Sequence, residues 1–191
     1  MDINLINICK SYDENVVIDN LSCMIPHGAV TCIMGASGSG KTTLIHILAG
    51  IEKADSGNIS GIDGLKKSIV FQDDRLCEGL SAVGNIRLVA DKSFKTSDIY
   101  DELSALGFQK ESARQLVSNM SGGERRRVAL LRALMANYDI LFLDEPFKGL
   151  DSETKELVML YTKERVKGKT VLLVTHDEME WETMGENLIV M

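Results

Sequence analysis

At 191 residues and 21.0 kDa the chain can bury a sizeable core as one domain, with room for an inserted subdomain but not for two independent domains. Its formal net charge of −7 argues against a generic electrostatic grip on nucleic acid or an anionic membrane surface, so no nucleic-acid partner is expected. Cys9, Cys23, Cys32 and Cys77 show neither CxxC pairing nor metal spacing, which reads as free thiols in a reducing, cytosolic compartment, with Cys23 and Cys32 buried among apolar neighbours.

Met1-Asp2-Ile3-Asn4-Leu5 lacks the basic start and apolar core of a signal peptide, and no apolar run approaches the roughly 20 residues of a spanning helix, so a soluble chain is expected. Residues 3–9 and, more loosely, 16–25 alternate apolar and polar around Asp13-Glu14-Asn15, which predicts an antiparallel hairpin. Pro26-His27-Gly28 then turns the chain into a strand over 29–34.

Behind that strand lies Gly35-Ala36-Ser37-Gly38-Ser39-Gly40-Lys41-Thr42, followed by a helical run from Thr43 to Ala49. Small residues let the backbone curl until its N–H groups converge on one concavity, and the helix adds the positive end of its dipole. The result is a cradle for a triphosphate. Lys41 reaches the β- and γ-phosphates as a point charge, and the Thr42 hydroxyl completes the oxygen shell of Mg²⁺.

Gly50 suits a helix C-cap, and Ser56-Gly57-Asn58, Gly61 and Gly64 mark short turn-rich segments before a strand over 68–71. From about 76 to 135 the pattern is mostly helical, clearest at 98–106 and 124–135. Residues 140–143 and 170–174 are short, nearly continuous apolar runs of the kind found in parallel strands covered on both faces. Between them 152–166 reads as a crossover helix with Ser152 as N-cap; a helix over 178–184 and a strand over 188–191 close the chain.

Two further places carry chemistry. The strand Ile140-Leu141-Phe142-Leu143 ends in Asp144 and Glu145, and ligands of parallel sheets collect beyond the carboxyl ends of the strands. Asp144 therefore suits the Mg²⁺ shell and Glu145 a base that polarises the attacking water. Ser121, an N-cap by type, opens a helix with Gly122 and Gly123 beside it; its freed N–H groups suit a second phosphate, although on spacing alone an ordinary capped helix is the better reading. The run Arg125-Arg126-Arg127 reads as a solvated face.

In this order the motifs make the chain resemble an ATP-binding-cassette ATPase along essentially its whole length. Gly35 to Thr42 matches the Walker A loop, Gln72 the Gln loop and Ser121 to Glu124 the signature; Ile140 to Glu145 matches the Walker B strand with its glutamate, Gly149-Leu150-Asp151 the D-loop and His176 the switch histidine. The resemblance implies an α/β fold: a P-loop core with a mostly parallel sheet and a small antiparallel subdomain (1–75 and 136–191), and a helical subdomain inserted at 76–135. It implies that Tyr12, Gly35, Ala36, Ser37, Gly38, Ser39, Gly40, Lys41, Thr42, Thr43, Ser121, Gly122 and Gly123 bind ATP, and that Thr42, Gln72 and Asp144 hold Mg²⁺. Lys41, Gln72, Glu145 and His176 are then the catalytic set.

The family's members pair head to tail around two ATP molecules and dock on transmembrane permease subunits at the cytoplasmic face of the membrane. The expected partners are accordingly a second cassette, identical or not, and a permease meeting the segment 72–86, where at least one of Leu76, Leu80, Val83 and Ile86 should be exposed. A non-transport cassette of DNA repair, translation or cell division is the alternative; a P-loop kinase or GTPase lacks both the guanine motif and a use for Ser121. The departures are Met120 for the usual Leu that begins the signature, Lys148-Gly149 for the usual Ser-Ala of the D-loop, and a short span from Gly57 to Ser68 that implies a trimmed antiparallel subdomain. A further departure is Cys77-Glu78-Gly79, where Leu-Pro-Trp often follows a Gln loop like that of the nitrate, sulfonate and taurine importers.

Overall fold

The computed structural model describes all of residues 1–191. Strand β1 (Ile3–Tyr12) turns Ile3, Leu5 and Ile8 inward and the residues between them mostly outward, and β2 (Asn15–Ile25) returns antiparallel to it. The connection needs only Asp13 and Glu14, because Asp13 tolerates the left-handed region (φ 52°). Apolar β3 (Val30–Met34) leads into α1 (Lys41–Ala49), whose C-cap is Gly50 as expected.

The stretch read as turns is in fact a third antiparallel strand, β4 (Ser56–Ser60), paired with β1. Its signal is hidden because only Ile59 faces inward and because Gly57, at φ 99°, lies opposite a bulge of β1, where an added Cβ would stand 2.5 Å from the Asn7 carbonyl oxygen. Glycine there serves close backbone approach inside a strand.

Strands β5 (Lys67–Val70), β6 (Ile140–Asp144), β7 (Thr170–Val174) and β8 (Asn187–Val190) join β3 in a parallel sheet ordered β5-β6-β7-β3-β8. Helices α2 (Ala82–Arg87), α3 (Thr96–Ala105) and α4 (Gly122–Leu134) lie between β5 and β6; α5 (Ser152–Arg165) and α6 (Glu178–Met184) are the crossovers to β7 and β8. The cap of α5 is Asp151 rather than Ser152: the Asp151 carboxylate accepts from the Thr154 N–H at 3.0 Å, leaving Ser152 as the first helical residue.

Alternation along the central strands builds two cores. Ile33, Phe142, Leu172 and Val174 face α1 and, beyond it, Ile3, Leu5 and Ile8 of the antiparallel sheet; Cys32, Leu141, Leu143, Val171 and Leu173 face the inserted helices and α5. Helix α1 is therefore wedged between two sheets, and the loop that precedes it is held from both sides. Cys32 is fully buried as expected, and burial pushes its thiol up to about 12, whereas Cys23 is half-buried.

Because every strand of the large sheet runs the same way, the ends of β3, β5, β6 and β7 meet on one edge. Ile33 is level with Val174, Asp144 with Val174, and Val70 with Leu143. That register delivers Gly35, Gln72, Glu145 and His176 to one place from four distant stretches of chain.

Candidate active site

A cleft of about 610 Å³ opens at this edge, and its lining includes Gly35, Ser37, Gly38, Gly40, Lys41, Thr42, Thr43, Gln72, Glu145, Lys148 and His176. Asn15 and Val17 of β2 form its outer rim. The loop's curl is set by Gly40, the N-cap of α1 at φ 90°, where a Cβ would stand 2.6 Å from the Val17 carbonyl oxygen. Lys41, 8% exposed, donates to the carbonyls of Gly35 (2.9 Å) and Ala36 (2.7 Å), so its ammonium sits at the centre of the curl.

Below the loop, the Thr42 hydroxyl donates to Asp144 Oδ2 at 2.8 Å, while Asp144 Oδ1 is buried with no partner at all. Burial pushes the Asp144 carboxyl up from its ordinary value and the neighbouring Glu145 charge adds to this, against the Thr42 hydrogen bond. A buried carboxylate oxygen lacking any donor, beside a threonine hydroxyl, suits a hard divalent cation, which would offset the cost of its charge.

Glu145 occupies the left-handed region at φ 46°, uncommon for a residue with a side chain, and its N–H is fixed by the Val174 carbonyl at 3.0 Å. The carboxylate is bracketed: Oε1 lies 3.3 Å from His176 Nδ1, and Oε2 lies 2.8 Å from Lys148 Nζ. The Lys148 contact is an ion pair outside hydrogen-bond geometry, since Oε2 accepts from no donor. Burial works to raise the Glu145 carboxyl, but Lys148 and then His176 outweigh it and hold it below the ordinary value. An ionised carboxylate facing the end of a phosphate cradle can orient and deprotonate a water.

Six expected binders lie outside this lining: Tyr12, Ala36, Ser39, Ser121, Gly122 and Gly123. Ser121, Gly122 and Gly123 cap α4 through a reciprocal pair, in which Ser121 Oγ accepts from the Glu124 N–H at 3.3 Å and the Glu124 carboxylate accepts from the Ser121 N–H at 2.9 Å. Ser121 and Gly122 are exposed. Tyr12 is also exposed, with Lys10 Nζ 5.1 Å from its ring centre; its strand partner Asn15 reaches the rim, whereas Tyr12 does not.

Two expectations are corrected. None of Leu76, Leu80, Val83 and Ile86 is exposed: Ile86 is buried, Leu76 and Val83 are half-buried against the helical core, Leu80 is half-buried, and the exposed apolar pair is Leu88-Val89 just past α2. The arginine run is no solvated face, because Arg126 is 4% exposed and Arg127 donates to the Leu106 carbonyl. Sequence reasoning also missed Lys148 in the cleft, although its departure from the usual D-loop was visible.

The ABC transporter family profile matches residues 18–148. The taurine import ATP-binding protein TauB of Pseudomonas aeruginosa is 37% identical over 192 residues, covering 93% of this chain and 72% of its own length. The aliphatic sulfonates import ATP-binding protein SsuB of Escherichia coli K12 is 34% identical over 193 residues, covering 96% and 74%. Among solved structures, the dimeric bacterial ABC transporter cassette MJ0796 superposes with a TM-score of 0.86 at 29% identity, over 99% of this chain and 94% of that one. Its post-hydrolysis dimer bound to ADP and Pi gives 0.85 at 28% identity over the same shares. Agreement in sequence and backbone extends over nearly the whole length: the chain belongs to the ABC transporter family, as an ATP-binding-cassette ATPase.

Proposed function

We propose that the chain is the ATPase subunit of a solute importer, acting as a head-to-tail pair of cassettes bound to transmembrane permease subunits. The observation that carries the pairing is the position of Ser121: a helix N-terminus built to hold an anion stands exposed and outside its own cleft, whose outer side is open. A two-fold pair lets each Ser121 complete the cleft of the other copy, and the superposed MJ0796 cassettes are dimeric. The names of TauB and SsuB support import as the direction. No helix of the chain is long and apolar enough to cross a membrane, so attachment to the cytoplasmic face rests on the permease, with exposed Leu88-Val89 a candidate contact.

Within each cleft, the loop from Gly35 to Thr43 holds the phosphates by backbone N–H groups and Lys41, and exposed Tyr12, beside the rim residue Asn15, stacks on adenine. Thr42, Asp144 and Gln72 would hold Mg²⁺, which when bound neutralises charge on the terminal phosphates. Glu145 takes the proton of the attacking water while His176 fixes its carboxylate from the far side. Gln72, on the segment joining β5 to the helical insert, senses the terminal phosphate and passes its presence to that insert.

The test is the Glu145→Gln variant, which keeps the binding groups and removes the base. With ATP it should run as a dimer on gel filtration, and adding Ser121→Arg should return it to monomer. A monomeric Glu145→Gln under conditions where ATP binding is measured would sink the paired mechanism.

A further inference from the structure

Arg126 lies in α4, the helix that Ser121 opens, yet its guanidinium reaches neither solvent nor the cleft. Nε donates to the Pro146 carbonyl at 3.0 Å, and Nη2 to the carbonyls of Asp144 (2.7 Å) and Glu145 (2.6 Å). Nη1 turns the other way, donating to the carbonyls of Phe71 (2.7 Å) and Gln72 (3.3 Å) and to Asp74 Oδ1 (3.2 Å). One side chain thus grips the end of β6 and the exit of β5 together.

Two observations give this grip a purpose beyond filling space. Glu145 is held at φ 46°, and a non-glycine residue stays in that region only where its surroundings over-determine it; three of the Arg126 bonds fall on residues 144 to 146. The same helix also holds the 71–75 segment through Arg132, which donates to the carbonyls of Arg75 (2.8 Å) and Asp74 (3.0 Å). Helix α4, the Gln72 segment and the Glu145 peptide are tied into one unit.

Resting on the ATPase reading above, we propose that Arg126 is a positioning residue: its fork sets the backbones of Gln72 and Glu145 relative to each other and carries displacement of α4, and so of Ser121, to both. Only a guanidinium can do this. A lysine ammonium has three donors on one atom and cannot span two segments, and a glutamine amide has two.

The experiment compares wild type with Arg126→Lys and Arg126→Gln, full chain in each case, by kcat and KM for MgATP, affinity for a fluorescent ATP analogue, and unfolding midpoint. Amide exchange is followed by mass spectrometry in residues 71–75, 144–148 and 35–42. The expected result is a kcat loss of roughly 10- to 100-fold, the scale of a reacting group displaced by about an ångström. Affinity should stay within about threefold, because the phosphate loop makes no contact with Arg126. Exchange should rise in 71–75 and 144–148 together and stay unchanged in 35–42.

A folded Arg126→Lys with wild-type kcat overturns the proposal, as does a parallel fall of kcat and affinity with exchange rising in all three segments. Should both variants fail to fold, Asp74→Asn decides, since it weakens the fork from one end and leaves the five carbonyl bonds. A smaller kcat loss at held affinity supports positioning, and an unchanged kcat rejects it. Wild-type protein that fails to hydrolyse MgATP would instead overturn the ATPase reading itself.

Discussion

Lys148 stands where related D-loops usually have serine, and its Nζ lies 2.8 Å from Glu145 Oε2. Replacing Lys148 with Met keeps the stem and removes the charge. At this separation the bare attraction is ~1.5 kcal/mol in water and ~6 kcal/mol at an effective dielectric constant of 20. The lysine side chain is 53% exposed and the glutamate 18%, so screening is substantial, and ordering a lysine stem costs up to ~2 kcal/mol. The net should fall in the ~0.2–1 kcal/mol range of exposed pairs, a factor of about 1.4 to 5 in the balance between held and free carboxylate.

Because the pair holds one of the two oxygens of the carboxylate proposed as base, Lys148→Met should raise kcat of basal ATP hydrolysis by roughly two- to fivefold, within that same range. The unfolding free energy should move by less than about 0.5 kcal/mol, since a half-exposed side chain is lost without a cavity. ATP affinity should weaken modestly, as one cation leaves the phosphate cleft. In the Glu145→Gln background, where no carboxylate remains to be held, the ATP-dependent dimer should persist. Steady-state ATPase assays with denaturant unfolding decide it: a kcat that falls while affinity holds would show that Lys148 assists the reaction, and the restraint argument would be wrong.

Lys41→Ala should reduce affinity for a fluorescent ATP analogue by at least ~10- to 100-fold, the worth of a charge-assisted hydrogen bond to phosphate, and equal binding by variant and wild type would refute the cradle. The Lys155 ammonium holds the Asp177 carboxyl below its ordinary value, with burial opposing. A lowered folded value means that this pair's stabilisation is complete above the unfolded value of ~3.9 and is lost as pH falls through the folded one, so wild type should lose stability over that acid window and Asp177→Asn should lose less. Urea unfolding at a series of pH values from 5 downward measures this, and identical slopes for the two proteins would count against the pair's role.

The curled glycine-rich loop and the strand ending in two carboxylates were legible because each is local: consecutive residues whose backbone and side chains act together. The same holds for Ser121, whose N-cap role needs only Glu124 three residues on. Strand β4 was not legible, since an exposed strand with one inward residue carries almost no alternation and its glycine, set opposite a bulge of β1, looks like a turn. Nor was Arg126: a triple arginine has no periodicity that tells which member faces inward, and on a helix successive residues point about 100° apart. Only the middle one meets the ends of β5 and β6.

By itself the sequence determined the family, because the motifs that carry it are residue types at fixed, short spacing. It also determined the alternation of strands and helices from which a parallel α/β core follows. Tertiary structure decided which side chains surround the Glu145 carboxylate. Glu145 meets His176 and Lys148, its peptide is gripped by Arg126, and Tyr12, Ser121 and Gly122 stay out of the chain's own cleft. Those facts depend on strand order, on the register of Asp144 against Val174, and on the face that α4 turns toward the sheet. They come from long-range packing, and no stretch of neighbouring residues encodes them.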